Sequence, residues 1–416
     1  MKLAIVKPDH GVAGGFETVV QRVAAGLRDR GHTVDLVQVK ASTDDVTRLP
    51  VPVTATEFAL FRDFFLHLDR LLQFEALDVS AYEAVLCTQP GSYAVSHPRK
   101  VVLFYHHLRS FYDLQEAIES ARRHDVALHQ LAAFIVRDID GFYLTSDLPI
   151  LAGSRRVKQR LADHNGLHDN VTVFDAGIDE AFLTHDRPLT FESPLSVGRH
   201  EFPKRTELFL HAMQHVEGLT GRIVGEGSYT ERLKALDAWL RVRHRDPHRH
   251  AAPTASGCHI DDDRLWRDEA LHLSWDELRE AEAAVEPGRA PAVRFLGRVS
   301  PDQLVVEYAA ALCVVCSAFD EDFGLTCLEA MACGKPVVAC RDGGGYVELI
   351  EDGVDGFLVE PTGPALAAAI DRLRNVDLAR AMGARGREKA RAFTWSRAID
   401  QVEAALERVT PRRTRT

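Results

Sequence analysis

Apolar positions along this chain alternate between short unbroken runs and stripes at helical spacing, and the alternation repeats from one end to the other. Residues 3–7 form the first run and 33–39 the second. Between them Val19, Val20, Val23, Ala24 and Leu27 share one helical face, which predicts strand, helix (17–30, closed by Gly31) and strand. Runs at 84–87, 101–105, 141–145 and 171–174, with helical stretches between, extend this to a parallel sheet flanked by helices. A polar, proline-containing stretch at 185–194 interrupts the pattern. It restarts at 195–199 and continues through predicted strands at 222–225, 292–296, 313–317, 337–340 and 357–359. The expected organisation is α/β: a Rossmann-like domain over 1–188, a second over 189–394, and a terminal helix with a frayed tail over 395–416. A length of 416 residues exceeds one core of usual size and fits two domains.

Local signals sharpen parts of this plan. Ser300-Pro301-Asp302-Gln303 is a capping box with proline at the first helical position, so a helix carrying Tyr308 starts there. Phe58, Phe61, Phe64, Phe65, Leu68, Leu71 and Leu72 make an apolar helical face; core packing is the default reading, and an acceptor slot or peripheral membrane strip the sharper one. The segment 235–290 is an unusual insertion rich in His, Arg and Asp. His244, His248, His250, Cys258, His259 and Asp261-Asp262-Asp263 match no standard ligand spacing, which favours a surface insertion or lid over a metal site.

Composition narrows the partners. A formal charge of −11 disfavours nucleic acid and anionic lipid as generic electrostatic partners. No apolar stretch is long enough to span a bilayer, and Met1 to Val6 runs into a strand, not a signal peptide, so a cytoplasmic protein is expected. Seven cysteines without framework spacing fit a reducing compartment; Cys313 and Cys316 would point to opposite faces of one strand and make no redox pair.

The chemistry concentrates in Glu321 and Glu329. The first falls in the loop beyond the carboxyl end of the 313–317 strand, the second in a short helix predicted over 326–333 and stopped by Gly334 and Pro336. Ligands of open α/β sheets bind at that edge, and carboxylates accept paired hydrogen bonds from vicinal hydroxyls, as a sugar and a ribose offer. Thr326 and Glu329 also fit a capping box, which would occupy Glu329 in helix initiation instead, and Glu321 also reads as a solvated loop charge.

The run from Ser317 through Glu321-Asp322-Phe323-Gly324-Leu325 to Glu329 and Gly334-Lys335-Pro336 resembles the donor-site signature of retaining glycosyltransferases of family 4, enzymes with the GT-B fold. Gly343-Gly344-Gly345, Glu348 and Asp352-Gly353-Val354-Asp355-Gly356 continue the likeness. The resemblance implies two Rossmann-like domains facing each other across a cleft, with a C-terminal helix crossing back to the first. It also implies that Glu321 contacts donor-sugar hydroxyls while Glu329 grips the ribose, with Phe323, Gly324 and Leu325 lining the donor.

A departing diphosphate needs positive groups. Arg199 and Lys204, after the strand at 195–197 and on the first turn of a helix expected over 204–215, resemble the family's diphosphate clamp. Gly225 falls where the family places a glycine turn beneath the base. The loop from Gly11 to Gly15 precedes a helix amino terminus, where backbone amides approach a phosphate, and Gly14-Gly15-Phe16-Glu17 resembles the family's Gly-Gly-x-Glu. His106 and His107 end a strand; by register with the family's strand-end histidine, His107 is the one expected beside the transferred sugar. Glu17, Gln89, His106 and Arg109 are candidates for the acceptor.

The expected activity is retaining, metal-independent transfer of a hexose-type sugar from a UDP-sugar or GDP-sugar to an acceptor hydroxyl, catalysed by His107, Arg199, Lys204 and Glu321, with no cofactor. The acceptor is expected among small natural products, glycolipids or polysaccharide precursors. The alternatives are a GT-B sugar-nucleotide epimerase or phosphorylase, or a non-catalytic nucleotide-sugar-binding subunit.

Overall fold

The computed structural model describes residues 1–9, 14–40, 49, 52–121, 125–243, 276, 279, 283 and 291–410. Gly11, the histidines and aspartates singled out between 244 and 263, Cys258 and the tail from 411 lie outside them. The chain forms two units, Met1–Gly177 with Phe393–Thr416, and Ile178–Ala392.

The first unit is built on a parallel sheet of order β2-β1-β3-β4-β5-β6. Its strands are β1 (Lys2–Asp9), β2 (Thr33–Lys40), β3 (Ala84–Thr88), β4 (Lys100–Phe104), β5 (Ile150–Ala152) and β6 (Val171–Val173). Helix Gly15–Asp29 packs Val19, Val20, Val23 and Leu27 into the core, the stripe its sequence shows. The expected strand at 141–145 is not one: Gly141 to Tyr143 close helix Val126–Tyr143, whose Ala132, Ala133, Val136 and Asp140 share a buried face. Helical periodicity over the whole segment outweighs the strand propensity of its aromatic end, and the strand follows at β5. Of the face read over 58–72, Phe58 and Leu71 are buried, Phe61, Phe64, Phe65 and Leu68 are half-buried and Leu72 is exposed, and Phe61 divides it between helices Ala55–Leu60 and Arg62–Glu75.

Helix Trp395–Val409 belongs to this unit. Ile399 fills the space above Gly26, where an added Cβ would lie 1.8 Å from its Cδ1, and Glu403 binds Arg30 at 2.6 Å and His32 at 2.8 Å. The return of the last helix, implied by the resemblance, rests on that glycine notch, on the Arg30–Glu403 ion pair and on the His32–Glu403 hydrogen bond.

The second unit carries a sheet of order β12-β11-β10-β7-β8-β9. Here β7 is Ser193–Val197, β8 Gly221–Val224, β9 Val293–Gly297, β10 Ala311–Cys316, β11 Val337–Cys340 and β12 Gly356–Val359. Every residue of β10 and β11 is buried, as expected of strands covered on both faces. The described cysteines are all buried and unbridged. This unit begins at Ile178, earlier than the 188/189 boundary read from the sequence. Phe191 packs against the second core and Lys335 donates to the carbonyl of Thr190, so part of the stretch read as a hinge lies on that core.

Among the described residues no helix is long and apolar enough to cross a membrane.

Candidate functional site

Strand β7 lies between β8, which follows it in sequence, and β10, which does not. The loops leaving β7 and β10 therefore diverge at the point where strand order reverses, the place where open α/β sheets hold ligands. Lys204 leaves from the first loop and Glu321 from the second, and Lys204 Nζ donates to Glu321 Oε2. Both side chains keep part of their surface open, 28% and 19% respectively.

Backbone geometry explains why these two meet. Lys204 ends a short 3-10 turn, Phe202–Lys204, and is not on the first turn of the following helix, which spans Thr206–His215. Arg205 separates them in the left-handed region, at φ +47°. Its guanidinium is fully buried, with Nε donating to the Ser317 carbonyl at 2.6 Å and Nη1 to Asp342 Oδ2 at 2.7 Å. In return Ser317 Oγ donates to the carbonyls of Lys204, at 3.0 Å, and Arg205, at 2.9 Å. The Lys204 turn is thus riveted to the end of β10. Arg205 and Asp342 are absent from the residues that sequence reasoning singles out, Ser317 enters there only as the start of a motif run, and nothing in the local sequence marks Arg205 as buried.

On the other side, Glu321 N donates to Gly343 O at 2.8 Å, and Gly345 N to Glu321 O at 2.6 Å. The triple glycine is a steric necessity. A Cβ at Gly343 would lie 1.9 Å from the Tyr346 ring, one at Gly344 2.6 Å from the Glu321 carbonyl, and one at Gly345 2.4 Å from that of Asp322.

Glu329 lies on helix Leu325–Ala332, capped by Gly324 at φ +99° with no side-chain cap, so the Thr326 capping box does not form. Its Oε2 instead accepts from the buried Tyr308 hydroxyl at 2.8 Å. Burial raises the Glu329 carboxyl to about 7; the Tyr308 bond opposes the rise and the charge of Asp179 adds to it. Phe323 is buried beside this helix, and Gly324 abuts Tyr346.

Arg199 is more exposed than Lys204 and pairs with Glu201 at 3.2 Å. Gly225 sits at φ +123°, where an added Cβ would lie 1.9 Å from the Gly198 carbonyl. Arg199, Lys204, Gly225 and Glu321 thus follow the carboxyl ends of neighbouring strands of one unit, and Glu329 lies on the helix after the last of these loops.

The first unit gathers Gly14, Gly15, Glu17 and Gln89 at the corresponding edge, beside β1 and β3. Gly14 caps helix Gly15–Asp29, and Glu17 accepts from Gln89 Nε2 at 3.3 Å with the buried Lys7 ammonium 3.9 Å away. Gln89 adopts φ +63°, and its buried Oε1 has no hydrogen-bond partner among the described residues. Arg109 is tied to Asp113 at 2.6 Å.

His107 is placed differently from the expectation. It is buried, stacked on Tyr112 with ring centres 4.0 Å apart, and its Nε2 meets Asn165 Oδ1 at 2.7 Å. Burial pushes its pKa down to about 4, so the imidazole is neutral. His106, half-buried, keeps the open surface of the pair. The loop after β4 turns the second ring inward because the aromatic neighbours Phe104 and Tyr112 offer it an apolar seat. Among the described residues no three His, Cys, Asp or Glu side chains cluster as metal ligands.

Two α/β units with six-stranded parallel sheets, the second carrying a basic and an acidic arm at its switch point, are the GT-B fold of glycosyltransferases. Residues 13–182 match the model "Glycosyltransferase Family 4" and residues 278–389 the model "Glycosyl transferases group 1"; the chain is a glycosyltransferase carrying these two family domains in that order. It is 28% identical over 432 aligned positions to a D-inositol 3-phosphate glycosyltransferase of Geodermatophilus obscurus, covering 96% of this chain and 86% of that one. Its fold is similar to sucrose-phosphate synthase of Thermosynechococcus elongatus, with TM-score 0.66, 19% identity and 98% of each chain covered. It is also similar to Anabaena Alr3699/HepE in complex with UDP and glucose, with TM-score 0.62, 16% identity, and 98% and 100% of the two chains covered.

Proposed function

We propose that this glycosyltransferase moves a hexose-type sugar from UDP-sugar or GDP-sugar to an acceptor hydroxyl with retention at the anomeric carbon, in the cytoplasm and without a divalent metal. The observation that carries this reading is the meeting of Lys204 and Glu321 at the switch point of the second sheet, with Glu329 one helix further on. Lys204 and Arg199 take the diphosphate, Glu321 takes the sugar hydroxyls, and Glu329 takes the ribose.

Glu321, held by an ammonium, orients and does not attack. The acceptor oxygen bonds to the anomeric carbon while the bond from that carbon to the β-phosphate oxygen breaks on the same face. The acceptor proton passes to the departing phosphate, whose charge Lys204 and Arg199 stabilise. The neutral, buried His107 supports a role in shaping the first unit's strand-end loop more than one in proton transfer. Gly14, Gly15, Glu17, Gln89, His106 and Arg109 are assigned to phosphate and acceptor contacts of the first unit.

The relative of Geodermatophilus obscurus makes D-inositol 3-phosphate the first acceptor to try, and HepE, also solved in complex with UDP-glucose, makes UDP-glucose the first donor. Thermal-shift and calorimetric screening of UDP-, GDP- and ADP-sugars, then transfer assays in EDTA with the product anomer read by NMR, test the reading. A retained anomer in a glycosylated acceptor is expected. An epimerised free nucleotide sugar, dependence on inorganic phosphate, or donor binding without hydrolysis or transfer would each replace it with one of the alternatives.

A further inference from the structure

We propose that Tyr308 is the positioning residue for ribose recognition, holding one oxygen of Glu329 so that the other is presented to the nucleotide. The inference rests on the assignment of Glu329 to the ribose made above. Tyr308 stands near the end of helix Pro301–Ala310, which runs directly into β10, so its place is fixed by the central strand of the sheet. Its side chain has no exposed surface, and its ring packs edge-on against Phe182 at 5.8 Å. The hydroxyl donates to Glu329 Oε2 at 2.8 Å, while Glu329 Oε1 has no hydrogen-bond partner among the described residues. Burial and the adjoining carboxylate push the phenol well above its ordinary range, so it stays a donor throughout the working pH range.

The chemistry assigns different tasks to the two oxygens. A glutamate side chain has three rotatable bonds, and an unheld carboxylate would lose that freedom on binding. Oε2 is already immobilised by a rigid, buried donor, which leaves Oε1 to accept from the ribose hydroxyls. A half-buried carboxylate with one oxygen held by a fixed donor and the other open is what a preformed diol acceptor requires.

The test compares UDP, or GDP if the donor screen selects guanine, with its 2′,3′-dideoxy counterpart in four proteins: wild type, Tyr308→Phe, Glu329→Ala and the double variant. Calorimetry supplies the ratio of the two affinities, which is insensitive to a loss of folded protein because both ligands suffer it equally. Wild type is expected to prefer the full ribose by about tenfold or more, the worth of a hydrogen bond to a charged group. Tyr308→Phe keeps the ring against Phe182 and should shrink that preference about fivefold, with kcat at saturating donor little changed. In the Glu329→Ala background the same change should have no effect. A full preference surviving in Tyr308→Phe while Glu329→Ala abolishes it overturns the positioning role and leaves the ribose assignment standing. A wild type that does not distinguish the two nucleotides removes the assignment of Glu329 itself, and the proposal with it.

Discussion

Lys204 donates to Glu321 across the switch point of the second sheet, so the cation assigned to the diphosphate and the carboxylate assigned to the sugar neutralise one another before any ligand arrives. A donor that takes both must replace one ion pair with two charge-assisted hydrogen bonds. This coupling makes the two single substitutions unequal in their effects.

Removing the carboxylate frees the ammonium. Glu321→Ala is therefore expected to bind free nucleoside diphosphate as tightly as wild type or a few fold more tightly, because Lys204 no longer has to leave a partner. Turnover should fall by about 100-fold or more, since the substitution removes the group assigned to the reacting sugar. Calorimetry with the diphosphate, alongside a transfer assay, separates the two quantities. A matched loss in both would show Glu321 to be part of the nucleotide site and not of the sugar site.

Removing the cation has the opposite signature. Lys204→Ala should weaken nucleoside diphosphate by about 10- to 100-fold, the range of a charge-assisted hydrogen bond to phosphate, while leaving the parent nucleoside near its wild-type affinity. The side chains are partly solvated, so the broken pair itself should cost little stability and the melting temperature should barely move. If diphosphate and nucleoside weaken together, Lys204 acts on the loop and not on the phosphate.

The architecture was legible because both sheets are covered on two faces, and buried strands such as 313–316 and 337–340 announce themselves as unbroken apolar runs. The segment at 141–145 misled for the same reason: an aromatic, apolar end of a long helix has the local composition of a strand. Glu321, Glu329, Arg199 and Lys204 were singled out through motif spacing, and the structure joins the side chains of Lys204 and Glu321. The residues that hold them there were not. Arg205 looks like a second surface cation beside Lys204, yet it is buried and bridges Ser317 and Asp342, partners more than a hundred positions away. Thr326 and Glu329 fit a local capping rule that Gly324 and Tyr308 override. Likewise motif register favours His107 over His106, whereas the side each ring takes depends on aromatic neighbours that sequence order does not reveal.

The pH dependence of nucleoside binding should follow Glu329. Its carboxyl, ordinarily at 4.5, is raised to about 7 by burial, so between those values the folded protein keeps a proton that the unfolded chain has lost. The group's contribution to stability is thus complete below the unfolded value and is lost as pH rises through about 7. Ribose binding runs the other way, since diol hydroxyls donate to the ionised form. Nucleoside affinity is expected to rise as pH passes upward through 7 and to be accompanied by proton release, measurable by calorimetry in two buffers of different ionisation enthalpy. The nucleoside, lacking a phosphate, does not titrate in this window itself. Glu329→Gln should erase the linkage. Glu207, also raised to about 7 by burial, supplies the control: Glu207→Gln should leave it intact. Loss of the linkage in the Glu207 variant instead would locate the titrating group on helix Thr206–His215.

Gly225 packs directly against the loop that carries Arg199 and Lys204. It follows β8, holds φ at +123°, and receives the Gly198 carbonyl so closely that an added Cβ would stand 1.9 Å from it. Gly198 in turn immediately precedes Arg199. Gly225→Ala must therefore adopt a backbone conformation that costs an L-residue about 1–3 kcal/mol and must also push the end of β7 aside. The expected result is a melting temperature lower by roughly 4–10 °C and a loss of diphosphate affinity that exceeds the loss of nucleoside affinity, because the displaced loop carries the cations. Gly198→Ala is the matched comparison. A Cβ there meets nothing within 4 Å and the backbone lies outside the left-handed region, so its melting temperature should stay near wild type. Equal destabilisation by both substitutions would mean that general loop rigidity, and not the close approach of Gly225 to Gly198, sets the geometry of the arm.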